Sequence, residues 1–133
     1  VNTEKIQVLE PTRTDKIFVL YLPENEIHEL GLMYLNYEIL LHGYKTIYLG
    51  ESVPVSSLKD MKQYFDNIIY ISYLTVQPVR DDIDKYLKEI TTEVIDANSE
   101  IWLLGRMTEF IDAKSLSSSV FVFNSISDLV QKL

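Results

Sequence analysis

The stretch Ile17-Phe18-Val19-Leu20-Tyr21-Leu22-Pro23-Glu24-Asn25-Glu26-Ile27-His28-Glu29-Leu30-Gly31 decides the fold. The unbroken apolar run Ile17–Leu22 is what a strand buried on both faces needs, so it reads as a central parallel strand. A polar turn holding a histidine follows, then a glycine in the opening turn of a long helical pattern. Open α/β sheets bind ligands in the loops at the carboxyl ends of their strands. His28 is thereby placed at a binding edge, whatever it binds.

On the amino side, residues 1 to 15 are polar, contain Pro11 and hold no sustained period, so they read as a linker or arm. On the other side the first helix is expected from about Ile27 to Leu41. Leu30, Met33, Tyr34, Tyr37 and Leu41 share one face of it, and Leu32, Leu35 and Ile39 form a second apolar stripe, so cover is expected on two sides. Gly43 suits the left-handed cap, and His42 before it is expected to face solvent. Thr46–Leu49 reads as strand two, closed by Gly50, and Pro54 opens a second helix. Ile68–Ser72 is strand three. Pro78 opens a third helix, carrying Val79, Ile83, Leu87, Ile90 and Val94 toward the core. Ile101–Leu104 with Gly105, a short helix near Thr108–Ala113, Val120–Phe123 and a last helix at Ser125–Lys132 complete the chain. Five alternations of strand and helix predict an α/β fold: a flavodoxin-like (Rossmann-like) five-stranded parallel sheet, order 2-1-3-4-5, with helices on both faces.

A chain of 133 residues, 47% apolar and 24% charged, suits one globular domain with a real core. No apolar run approaches the roughly 20 residues that span a bilayer, so no membrane partner is expected. The polar start Val1-Asn2-Thr3-Glu4-Lys5 is no signal peptide, and its lack of an initiator methionine points to a piece of a longer chain. With no cysteine, thiolate metal sites are excluded and a reducing, cytoplasmic setting is expected. A net charge of -8 repels phosphate backbones, so any contact with DNA must come from another part of the molecule.

Three features could carry chemistry. His28 has Glu26 two residues before it, and a carboxylate there can take Nδ1–H, fix the tautomer and leave Nε2 free for a metal. Gly31 would let a bulky ligand approach the helix backbone. The plainer alternatives are a solvated loop acid for Glu26 and a tight helix–strand contact for Gly31. With one other histidine and no cysteine, the chain cannot build a metal site alone, so a metal on His28 must arrive held by an organic macrocycle. Ser72, leaving strand three, either meets a buried heteroatom of a ligand or is satisfied by backbone. Gly105 either opens a groove between strands or simply serves the turn.

Glu26-Ile27-His28-Glu29-Leu30-Gly31 resembles the cobalamin-binding signature D-x-H-x-x-G, Ser72-Tyr73-Leu74 the S-x-L motif, and Gly105-Arg106 the G-G motif of the same family. The run Leu22–Leu32, followed by Tyr48–Pro54, is similar to the C-terminal domain of cobalamin-dependent MerR-type transcriptional regulators. The resemblance covers about residues 16 to 133. It implies a cobalamin-binding sensor domain, not an enzyme, holding cobalamin (adenosylcobalamin foremost) base-off and His-on. His28 would be the cobalt ligand, with Glu26 behind it and the nucleotide tail running past Gly31, Ser72, Leu74 and Gly105. DNA binding would belong to an N-terminal domain outside this sequence, coupled to homo-oligomerisation. The same motifs would serve the corrinoid domain of a methyltransferase or mutase, or a degenerate domain that only mediates protein contacts. Two departures stand out. Glu26 replaces an aspartate, so its hydrogen bond to His28 must span a longer arm or pass through water. Arg106 replaces the second glycine, narrowing the tail groove or setting a cation near the tail phosphate.

Overall fold

The computed structural model describes residues 13–112 and 117–133. Its strands are β1 (Arg13–Pro23), β2 (Tyr44–Val53), β3 (Ile68–Tyr73), β4 (Ser99–Leu104) and β5 (Val120–Val122). Between and after them come the helices α1 (Leu30–Leu41), α2 (Val55–Met61), α3 (Ile83–Glu93) and α4 (Ile126–Gln131), with a 3-10 turn at Arg106–Phe110. All strand pairs are parallel and the order is β2-β1-β3-β4-β5, the expected flavodoxin-like arrangement. β1 begins at Arg13, inside the stretch read as a linker; residues 1–12 of that expected arm lie outside the described residues.

Side chains alternate across the sheet and build two cores. One face sets Val19, Tyr21, Tyr70 and Leu103 against Leu58 of α2 and Ile83, Leu87 and Ile90 of α3. The other sets Phe18, Leu20, Ile71 and Trp102 against Leu32, Leu35 and Ile39 of α1 and Leu129 of α4. Phe18, Leu20, Tyr21 and Leu22 are fully buried, as the central strand demands.

The short helix expected near Thr108–Ala113 is a 3-10 turn at Arg106–Phe110, and Ala113 lies outside the described residues. Three further expectations about helices are corrected. The first helix starts at Leu30, not Ile27, because the Glu26 carboxylate takes the N–H groups of Ile27 and His28 at 3.0 and 3.3 Å and holds the loop out of helical geometry. Its core face is the stripe read as secondary, Leu32, Leu35 and Ile39. Leu30, Met33, Tyr34 and Leu41 are exposed, so α1 is covered on one side among the described residues. The third helix starts at Ile83, not Pro78, which leaves Val79 exposed while Ile83, Leu87, Ile90 and Val94 reach the core as expected.

At the far end of α1 the chain turns as the sequence indicates. Gly43 is left-handed at φ 88°, but His42, expected to face solvent, is half-buried and its Nδ1–H donates to the Glu38 carbonyl at 2.8 Å. β1, β3 and β4 therefore end on one edge, where the loops after them meet.

The candidate corrinoid-binding edge

The loop from Glu24 to Glu29 is fastened on both sides. Asn25 N–H donates to Ser52 Oγ at 3.1 Å, Ser52 N–H to the Glu26 carbonyl at 3.2 Å, and Tyr48 O–H to Glu29 Oε1 at 3.2 Å, which ties the loop to β2. Toward β3 the fastening is Glu26. Its Oε1 accepts from the N–H groups of Thr75 at 2.8 Å, Val76 at 2.6 Å and Gln77 at 3.3 Å. Its Oε2 lies 2.8 Å from His28 Nδ1. The side chain is wholly buried, which rules out the solvated loop acid. Burial alone would raise its pKa, but the hydrogen bonds from His28, Val76 and Gln77 outweigh that and hold it at about 2, so Glu26 is a carboxylate at neutral pH. The longer arm of glutamate reaches His28 directly, with no water between them.

His28 itself is 56% exposed, with Nδ1 tied to Glu26 and Nε2 free of hydrogen bonds among the described residues. A carboxylate on Nδ1 favours the tautomer whose Nε2 lone pair is available to a metal. Among the described residues no group of three histidines, cysteines or carboxylates could hold a metal without help.

The other expected contacts do not form one groove. The space beside Gly31 is taken: a Cβ there would lie 2.8 Å from Tyr73 Cε2 and 3.1 Å from Cδ2 and Cζ, the helix–strand contact that was the plainer reading. Tyr73 and Gly31 belong to the α1 face of the sheet, whereas Ser72 alternates to the opposite face beside its register partner Tyr21. Ser72 Oγ is buried and makes no well-formed hydrogen bond; the Tyr21 hydroxyl, bonded to Tyr86 at 2.9 Å, is a neighbour in poorer geometry. Leu74 is fully buried in the core on that same side.

Gly105 does serve a close backbone approach. It sits at φ 105°, and a Cβ would overlap the Leu74 carbonyl oxygen and stand 2.7 Å from its carbonyl carbon. Leu74 N–H donates to Leu104 O at 2.7 Å and Met107 N–H to Leu74 O at 2.9 Å, so the ends of β3 and β4 are laced together there. Beside this lacing an open groove of about 240 Å³ is lined by Tyr73, Leu104, Gly105, Arg106, Phe123 and Ser125 among others. A larger cavity, about 460 Å³, lies at the opposite edge near Asn67, Asn98 and Lys132, away from His28. The residues present thus fit the cobalt end of a corrinoid, while the tail end is closed in this conformation.

Sequence reasoning missed two participants, the loop N–H groups of residues 75–77 and the ring of Tyr73. Backbone donors leave no mark in a sequence, and Tyr73 had only its place inside the S-x-L motif.

No protein-family model matches the chain, and no curated protein matches it by sequence. Solved structures do resemble it. A cobalamin-binding protein from Desulfitobacterium hafniense superposes with a TM-score of 0.67 at 15% identity, over 88% of this chain and 57% of that one. The monomethylamine corrinoid protein of Methanosarcina barkeri superposes with a TM-score of 0.72 at 10% identity, over 98% of this chain and 61% of that one. The chain therefore spans about three fifths of each of these two proteins, and at such identities what it shares with them is the five-stranded parallel fold.

Proposed function

We propose that this domain binds a corrinoid through His28 and acts as the cobalamin-sensing part of a transcriptional regulator. The observation that carries the reading is the Glu26–His28 pair: a solvent-facing imidazole at the carboxyl edge of the sheet, aimed by a buried carboxylate, with Nε2 left open. The two similar structures, one named as cobalamin-binding and one as a corrinoid protein, support the corrinoid part of this reading and do not bear on the regulator part. A bound corrinoid would supply a cobalt ion that takes a neutral imidazole nitrogen. The chain's own part is to hold the histidine, fix its tautomer through Glu26, and present an edge laced by the 75–77 N–H groups. DNA binding and oligomerisation would rest on other domains, and the adenosyl form of the cofactor is part of the same proposal.

The second reading is the corrinoid domain of a methyltransferase system, favoured by the likeness to the monomethylamine corrinoid protein. The site chemistry is common to both, so the distinction lies in the neighbouring domains.

The experiment is a titration with cobalamin followed by absorbance, in wild type and His28→Ala. Wild type should develop the base-off, His-ligated spectrum and the alanine variant should not. Equal spectra and equal affinity in the two would remove His28 from the site.

A further inference from the structure

We infer that Tyr73 gates the tail side of this site, and so decides between corrinoids that carry a nucleotide tail and those that lack one. The inference rests on the corrinoid reading above. Tyr73 is the last residue of β3, and its ring edge packs so closely on Gly31, three residues beyond His28, that a Cβ there would lie only 2.8 Å from Cε2. Its other side borders the groove that ends at Gly105 and Arg106. The ring therefore touches both the helix that follows His28 and an open groove at this edge. That space, about 240 Å³, falls below the roughly 300 Å³ at which small-molecule pockets begin.

The ring is held by packing only. Among the described residues its hydroxyl makes no hydrogen bond, and the side chain is half-buried against the α1-side core. Turning it out of the cleft breaks no polar contact, and the space it leaves would join Gly31 to the groove. Gly31 is what allows the ring to seat so deeply, since any larger residue would collide with it. The macrocycle end of the ligand meets His28, which is open as folded. The heterocyclic tail must first displace Tyr73, and that cost falls on complete corrinoids alone.

The test compares dissociation constants for aquocobalamin and for diaquocobinamide, which lacks the nucleotide. Wild type, Tyr73→Phe, Tyr73→Ala and Tyr73→Val are measured, the last keeping a residue suited to a strand end should the alanine variant fold poorly. Removing the ring should tighten cobalamin binding at least ten-fold, about 1.4 kcal/mol, and leave cobinamide within two-fold. Tyr73→Phe, which keeps the ring, should match wild type for both ligands. Equal tightening of both ligands, or of neither, overturns the gate while leaving the corrinoid reading intact. Failure of all four proteins to bind either ligand overturns the corrinoid reading itself, and the gate with it.

Discussion

Glu26 Oε2 lies 2.8 Å from His28 Nδ1, and the same carboxylate anchors the loop after β3 through three backbone N–H groups. One buried side chain thus does two jobs. It closes the end of β1 onto the end of β3, and it sets the direction of the histidine at the edge.

Replacing Glu26 should therefore cost stability as well as binding. Hydrogen bonds to a charged group contribute about 1.5–3 kcal/mol each, and leaving buried donors unpaired adds a desolvation penalty. Glu26→Gln keeps the shape, but its amide can accept through one oxygen only. We expect a loss of about 2–4 kcal/mol in urea unfolding. A loss below 0.5 kcal/mol would show that the anchor contributes nothing net.

The same carboxylate predicts a pH dependence. Its pKa is held at about 2, against an ordinary 4.5, so between those values the unfolded chain binds a proton that the folded chain refuses. The stabilisation is complete above about pH 5 and is lost as the pH falls from 4.5 toward 2. It amounts to about 3 kcal/mol in full. The gap in unfolding free energy between wild type and Glu26→Gln should shrink between pH 7 and pH 2.5. A gap independent of pH would place the stabilisation elsewhere.

The lacing of Leu74 to Gly105 makes a sharper prediction. Gly105 sits at φ 105°, ψ 167°, a region open to glycine alone, and a Cβ would overlap the Leu74 carbonyl. Strain and overlap together should make Gly105→Ala cost about 2–4 kcal/mol, read from the shift in the urea midpoint. A substitution that is neutral would mean that the loop relaxes freely, and the edge would then be no rigid platform.

How far the sequence reached is clearest along α1. The strand order follows from apolar runs and alternation, which β1 and β3 carry without ambiguity. The helix, however, is apolar on nearly every side, and Glu38 is the only charged residue between Leu30 and Leu41. Periodicity cannot choose between two stripes when both are apolar, so it predicts cover for Leu30, Met33, Tyr34 and Leu41, which are exposed. The start of the helix departs from its pattern for a different reason: a carboxylate that captures its own following N–H groups competes with the helix, and the buried position of Glu26 lets that competition win. At the site, Glu26 and His28 are neighbours in sequence and were readable as a pair. The contact of Gly31 with Tyr73 joins residues far apart in the chain and was not.

The reversed faces of α1 can be checked by substitution. Leu35 is fully buried between the helix and the sheet, and truncating it removes transfer energy and leaves a cavity, so Leu35→Ala should cost about 2–5 kcal/mol. Leu30 is 83% exposed and Met33 53% exposed, so Leu30→Gln and Met33→Gln should each stay within about 0.5 kcal/mol of wild type in the isolated domain. Urea unfolding of the three variants at low protein concentration measures all of these costs. If Leu30→Gln destabilises the monomer as much as Leu35→Ala does, the helix is rotated relative to the sheet, and Gly31 no longer faces Tyr73. If instead its cost appears only as the concentration rises, the apolar face is buried between copies and the helix is oriented as described.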